Sequence, residues 1–475
     1  MSEHVGYIVK VENLRPHSNA DRLQVVTFFG NDTIVSLDTK RDELGVYFPV
    51  DLQLSAEFCE ANNLVRKKDD AGNNIGGYLD PEKRNIKAIK LRGEKSDGLY
   101  LPITCFNYLN IDLNSFKIGE SISTVNGHEI CCKYIPVRKA SPSDRRDGNR
   151  TRKKKVPVSP LFIEHADTEQ LAYNLAAFKP EDLIEITLKM HGTSQRTGYL
   201  PVLKKYKRTL WDIIRRREGT PIYDWGYVSG TRRTVLNNYD GGYYGSNEFR
   251  EQHSKFFEGK LHKGEEVYYE VVGFQTSGAP IMASVENSKT GDKEFIKQYG
   301  KTTTFSYGCS PQHQPAMING STGETVAKEI PQSDFYVYRM TMTNEDGDVV
   351  EYNPDYMRYR CEQMGAKCVP VLWKGYIPKE NELPMVVDFD DPEIDSHTMT
   401  AGEFVQGLAE QFYDGPDPVG KTHVREGVVI RIVNKPKFTA YKHKNFSFKC
   451  LEGIAKNDAE APDIEEAEEI NDSEN

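Results

Sequence analysis

The stretch Ile184-Glu-Ile-Thr-Leu-Lys-Met-His-Gly-Thr-Ser194 decides how this chain is read. Ile184, Ile186 and Leu188 alternate with Glu185, Thr187 and Lys189, the period-two pattern of a strand covered on one face. Lys189 closes the strand, and Gly192 leaves room for a ligand to approach the backbone. A lysine in that position is a candidate nucleophile toward an activated phosphate. Lys-x-x-Gly alone is weak, because it recurs at Lys95-Ser-Asp-Gly98 and Lys297-Gln-Tyr-Gly300. Polar Arg92-Gly-Glu94 precedes Lys95, whereas the run before Lys189 has the alternation of a buried strand.

The 475 residues suggest two or three domains, and 38% hydrophobic with 28% charged residues fits a globular protein with a substantial core. No run of about 18 apolar residues is present, so no membrane partner is expected. Met1-Ser-Glu-His lacks the basic-then-apolar pattern of a secretory signal. The eight cysteines form no Cys-x-x-Cys pair and have no regular spacing. They read as free thiols in the cytoplasm or another reducing compartment. The net charge of −10 is unevenly spread: residues 458–475 are almost wholly acidic, while 138–155 end in Arg150-Thr-Arg-Lys-Lys-Lys155. The basic segment is a candidate phosphate-contacting linker, and both segments also read as solvated chain.

Residues 1–125 carry short alternating runs at 5–11, 23–29, 33–37, 46–50, 86–92 and 98–102, with one amphipathic helix near 55–64. That pattern suits an OB-type β-barrel. Lys87, Lys90, Arg92 and Lys95 are its candidate RNA phosphate contacts. Residues 126–160, rich in Pro, Ser and basic side chains, read as a linker. Residues 161–455 read as a second domain with mostly antiparallel strands, and 456–475 as an acidic tail. Helices are expected over 167–177, 248–257, 355–362 and 401–413, and 441–449 is expected to continue as strand. The fold class is therefore α+β.

Gly415-Pro-Asp-Pro-Val-Gly-Lys-Thr422 matches the P-loop pattern letter for letter. The chemistry rejects it, because a P-loop offers backbone N–H groups at a strand-to-helix turn and two of these residues are prolines. A different ordered set follows Lys189. Ser229 to Arg233 form a turn with paired arginines, Arg232 and Arg233, and Tyr269-Glu270 lie in an apolar run. Phe335-Tyr-Val-Tyr-Arg339, Glu426-Gly-Val-Val429 and Lys442-His-Lys444 come next, with Lys442 and Lys444 on one face of a strand. This order resembles the covalent nucleotidyltransferases, the polynucleotide ligases and mRNA capping enzymes. The N-terminal position of the barrel resembles the RNA ligases built from an N-terminal OB module and a C-terminal adenylyltransferase domain.

The resemblance implies an ATP-dependent RNA ligase that seals 3′-OH and 5′-phosphate RNA ends, or nicks in a duplex, through lysyl-AMP and adenylylated RNA, with Mg²⁺ or Mn²⁺. Lys189 would be the nucleophile. ATP would be held by His191, Gly192, Arg232, Arg233, Glu270, Tyr336, Tyr338, Glu426, Lys442 and Lys444, with either tyrosine stacking on adenine. Glu270 and Glu426 would reach ribose hydroxyls or the metal, directly or through water. The sequence departs from the family at His191, where many ligases carry Asp, and at Arg339, in place of the usual Asp. The alternatives are a DNA ligase or capping-type enzyme, or a catalytically dead relative that binds RNA.

Overall fold

The computed structural model describes residues 4–69, 72, 75–135, 158–162, 165, 168–215, 219–232, 235–236, 248–318, 325–386 and 397–456. Arg233, most of the expected linker and the acidic tail beyond Lys456 lie outside these residues.

The N-terminal part is a set of short sheets. Ser121–Ile122, Gly6–Lys10, Leu44–Phe48 and Leu99–Pro102 make one sheet in that order, and Leu14–Pro16, Leu23–Phe28 and Asn31–Ser36 make another. Ala88–Leu91 pairs with Glu94–Asp97. Ile8, Val46, Phe48, Leu52, Phe58 and Phe106 share one core. The expected helix forms over Ala56–Ala61, where the Ser55 side chain accepts the Phe58 N–H. Among the described residues the strands close no continuous barrel ladder. The linker expectation fails at its start: Cys131–Lys133 pairs with Leu52–Leu54, so this part continues beyond residue 125.

Two larger sheets follow. Their strands are β1 (Leu183–Lys189), β2 (Thr193–Lys207), β3 (Thr220–Gly230), β4 (Glu265–Gly273), β5 (Ser333–Thr343), β6 (Val371–Tyr376), β7 (Gly427–Ile432) and β8 (Ala440–Lys444). The first sheet runs Glu169–Gln170, β8, β7, β1, β6; the second runs Val235–Leu236, β3, β2, β4, β5, Val349–Glu351. All pairings are antiparallel except that of Glu169–Gln170 with β8. Consecutive strands β1 and β2 belong to different sheets, so Met190, His191 and Gly192 turn the corner between them.

The helices near the sheets are α1 (Glu248–Phe256), α2 (Pro354–Met364), α3 (Ala401–Glu410) and α4 (Phe446–Ala455). Ile184 and Ile186 pack with Val428 and Ile430 into a core shared with Val405 of α3. The opposite face of β1 is covered too: Glu185 is buried and receives both Arg358 guanidinium nitrogens from α2 at 2.9 and 2.7 Å. The one-face reading of β1 therefore missed a paired carboxylate on the second face. The expected helix over 167–177 is instead Glu169–Gln170 in strand, then short 3₁₀ turns at Leu171–Tyr173 and Leu175–Ala177. The expected strand over 441–449 ends at Lys444, where the Asn445 side chain accepts the Ser447 N–H at 2.7 Å and starts α4.

Residues 415–422 form turns between α3 and β7, not a strand-to-helix phosphate loop. All eight cysteines are free. No helix among the described residues is long and apolar enough to cross a membrane.

Candidate active site

The register places Lys189 opposite Gly427, and Gly427 opposite Lys444, so three neighbouring strands carry one row of residues. Glu426 precedes that row. Its Oε1 lies 2.7 Å from Lys189 Nζ and 3.8 Å from Lys444 Nζ. Two glycines permit this approach. A Cβ on Gly427 would sit 2.1 Å from the His443 carbonyl oxygen, at a φ of +149°. A Cβ on Gly192 would sit 2.3 Å from the Val271 carbonyl oxygen. Gly192 N–H donates to Glu270 Oε1 at 3.1 Å, tying the corner to β4.

Lys189 keeps 23% of its side chain exposed, while that of Glu426 is only 3% exposed. Burial pushes the Glu426 carboxyl up, but Lys189, His191 and Lys444 outweigh it and hold the group below the ordinary glutamate range. Burial pushes Lys444 down, but Glu452 and Glu426 outweigh it and raise the ammonium. Burial lowers His191 to about 4, so its ring is neutral near pH 7. The ring packs edge-on against Phe305 and Phe448, and its Nδ1 is 3.7 Å from Glu426 Oε2. The backbone N–H of His191 donates to the Tyr307 hydroxyl at 2.6 Å.

Two adjoining cavities open at Lys189. The first is polar and lined by Lys189, Arg232, Glu270, Glu426, Lys442 and Lys444, among others. It is also lined by Asp51, Asp97 and Lys133 of the N-terminal part. The second is more apolar and reaches from Lys189 past Ser194 and Tyr338 to Val429, Arg431 and Phe438. The two tyrosines left open by the sequence thus differ. Tyr338 lines the second cavity and shares a 3.0 Å hydrogen bond with Ser194 Oγ. Tyr336 is buried in the core beside Val272, its hydroxyl donating to Asp334 at 3.3 Å. Arg339 holds Glu351 with both Nε and Nη2 and sits beside His165.

Sequence reasoning missed the residues supplied by α4. Both carboxylate oxygens of Glu452 lie 2.8 Å from Lys444 Nζ, and Lys456 Nζ lies 3.5 Å from the same carboxylate. Lys456 in turn meets Asp51 of the N-terminal part at 3.0 Å. Six alternating charges therefore run from Lys189 through Glu426, Lys444, Glu452 and Lys456 to Asp51. Asn445 followed by Phe446, Phe448, Leu451 and Ile454 was the readable signal for this helix. His165, between Tyr268 and Tyr338, is a second missed residue.

The structure does not bring the expected RNA-contacting residues into this cluster. Lys90 pairs with Asp292 at 2.8 Å, Lys87 is half-buried near Gly453 of α4, and Arg92 is exposed at a turn. That strand packs against α4.

No protein-family model matches the chain, and no curated protein matches it. Solved structures do. A lysine mutant of Naegleria gruberi RNA ligase with ATP and Mn is similar at a TM-score of 0.52 and 16% identity, over 96% of this chain and 100% of that one. The same ligase with PPi is similar at 0.52 and 15% identity, over 94% and 98%. Another mutant of it, with AMP and Mn, gives 0.51 and 14%, over 94% and 97%. The fold of this chain is therefore that of these RNA ligase structures along nearly its whole length.

Proposed function

We propose that the protein is an ATP-dependent RNA ligase, with an OB-type N-terminal module and a nucleotidyltransferase domain carrying Lys189 as nucleophile. The observation that carries the reading is the convergence of Lys189, Glu426 and Lys444 at the corner between the two sheets, beside an apolar cavity, in a chain with an RNA ligase fold. In the first step the lone pair of Lys189 Nζ forms a bond to the α-phosphorus of ATP. The bond from that phosphorus to the bridging oxygen breaks, pyrophosphate leaves, and Nζ gives up a proton. Glu426 Oε1, at 2.7 Å, orients the amine before attack. Lys442, Lys444 and Arg232 line the polar cavity and oppose negative charge on the phosphates. Tyr338 and Phe438 border the cavity that suits the adenine, and Glu270, which lines the same cavity, would take the ribose. The AMP group then passes to an RNA 5′-phosphate, and a 3′-OH displaces AMP to form the phosphodiester.

The carboxylates suit a divalent metal held through water. Glu426 Oε2 is buried without a hydrogen-bond partner, and Glu270 lies across the same cavity. Among the described residues no group of three or more His, Cys, Asp or Glu side chains is set to hold a metal directly. Two carboxylates with retained waters match the preference of Mg²⁺ or Mn²⁺ for hard oxygen donors, and neutral His191 adds no charge to that set. Bound there, the metal would supply charge stabilisation to the phosphoryl oxygens. The test is incubation with α-³²P-labelled ATP and Mg²⁺ or Mn²⁺, then a denaturing gel. Label on the wild type and none on Lys189→Ala is expected; an unlabelled wild type, or full label on Lys189→Ala, refutes the reading.

A further inference from the structure

β2 pairs with β4 only from Thr193 to Gly198, yet it continues to Lys207. Beyond Gly198 its ladder partner is β3 alone, so residues 199–207 and 220–227 form a two-stranded ribbon that projects past the sheet. The base of the ribbon is covered, with Leu200, Val202 and Val228 packed against Phe162. The far end is not. The short helix Leu210–Ile214 joins the strands, and Leu210 and Ile214 are 79% and 71% exposed, the two most exposed large apolar side chains among the described residues. Trp211 is 67% exposed, with the Arg215 guanidinium 5.4 Å above its ring. An exposed apolar cluster of this kind marks an interaction site.

Charge identifies the partner. Residues 204–218 contain seven Lys or Arg and two Asp or Glu, on a chain of net charge −10. Lys204, Lys205, Lys207 and Arg208 are exposed along the ribbon and its end. Basic side chains interleaved with an exposed indole fit a polyanion whose bases are free to stack. The strands that carry the ribbon lead out from the candidate active site: Ser194 of β2 and Arg232, two residues beyond β3, line the cavity at Lys189. We propose that this ribbon is an RNA-docking arm that holds a single-stranded segment of the substrate, with Lys204, Lys205, Lys207 and Arg208 on phosphates and Trp211 on a base. The inference rests on the RNA ligase reading for its substrate, but the arm lies outside the nucleotide pocket.

The experiment uses the full chain, a fluorescein-labelled single-stranded oligoribonucleotide, the same strand in duplex, and anionic phospholipid vesicles. Two variants are compared with the wild type: a quadruple Lys204→Ser, Lys205→Ser, Lys207→Ser, Arg208→Ser chain, and Trp211→Ala. The quadruple variant is expected to lose at least about tenfold in single-strand affinity, with a slope of log affinity against log salt shallower by about 3. Trp211→Ala is expected to lose at least about fivefold with the slope unchanged. Both are expected to retain labelling by α-³²P ATP. Single-strand affinity unchanged in both variants, a loss confined to duplex, or a loss confined to vesicles overturns the arm. Arm-dependent RNA binding by a wild type that takes no label leaves the arm standing and defeats the ligase reading instead.

Discussion

Replacing Glu452 by alanine tests whether the alternating charges hold the site together. Both carboxylate oxygens lie 2.8 Å from Lys444 Nζ, and one lies 3.5 Å from Lys456 Nζ. The side chains of Glu452, Lys444 and Lys456 are 12%, 14% and 5% exposed, so water screens the three charges poorly. At an effective dielectric of about 20, the nearer contact alone has a gross attraction of about 6 kcal/mol. Desolvation of both ions offsets much of this in the intact protein. Removing only the carboxylate leaves two buried ammonium groups facing each other, which costs about 3–5 kcal/mol. Glu452→Gln retains an acceptor for Lys444 and should cost about half as much. Urea unfolding followed by fluorescence measures the loss, and α-³²P ATP labelling measures the reaction. Labelling should slow in both variants, because Lys444 loses the partner that fixes its ammonium beside Glu426. A loss of stability below about 1 kcal/mol together with wild-type labelling would refute the reasoning.

Gly192→Ala forces a Cβ to within 2.3 Å of the Val271 carbonyl oxygen, so it should destabilise by about 1–3 kcal/mol and lower labelling at least about tenfold, read by unfolding and by gel. Tyr338→Ala should raise the ATP concentration for half-maximal labelling about tenfold, because that ring borders the apolar cavity. Tyr336→Ala should instead lower stability by about 3–5 kcal/mol as its buried ring leaves the core. Burial pushes the Glu266 carboxyl up to about 7, against the opposing pull of Arg196. The native state then holds a proton that the unfolded chain has lost, so stability falls as pH rises from about 4.5 to about 7, by roughly 3 kcal/mol from this group. Comparing urea unfolding at about pH 5 and about pH 8, Glu266→Gln should remove that part of the dependence.

The nucleophile candidate was legible because its environment is local. The alternation of Ile184, Ile186 and Leu188 and the glycine at 192 are contiguous; the strand forms over Leu183–Lys189, but both of its faces are covered, and Gly192 makes room for the Val271 carbonyl of β4. Glu426 and Lys444 were legible only by their order along the chain; their approach to Lys189 depends on the pairing of β1, β7 and β8, which no local pattern encodes. The contribution of α4 was hidden for a different reason. Lys442-His-Lys444 alternates as a strand should, and the eye carries that period past Asn445, although Asn445 is the N-cap that changes it. Glu185 was hidden because a carboxylate on an otherwise apolar strand reads as solvent-facing until Arg358 is found across from it. The tyrosine ambiguity was likewise tertiary: Tyr336 and Tyr338 are two apart on one strand, but one meets Asp334 and the core while the other meets Ser194 and the cavity.

The N-terminal part has two kinds of contact with the rest of the chain, and they differ in strength. Lys90 and Asp292 are 32% and 19% exposed at their outer edge, in the range where an ion pair contributes about 0–1 kcal/mol and salt weakens it. The inner pairs are different. Lys449 and Asp97 meet at 2.5 Å with 15% and 7% exposure, and Lys456, 5% exposed, bridges Asp51 and Glu452. Breaking the Lys449–Asp97 pair leaves buried charge short of a partner, at several kcal/mol, whereas Lys456 parted from Asp51 keeps Glu452, and Asp51 is 33% exposed. Tyr7 of the N-terminal part also stacks on Tyr173 at 4.9 Å, which adds apolar burial that salt does not screen. Asp51, Lys456 and Glu452 thus connect the N-terminal part to Lys444 in the candidate site.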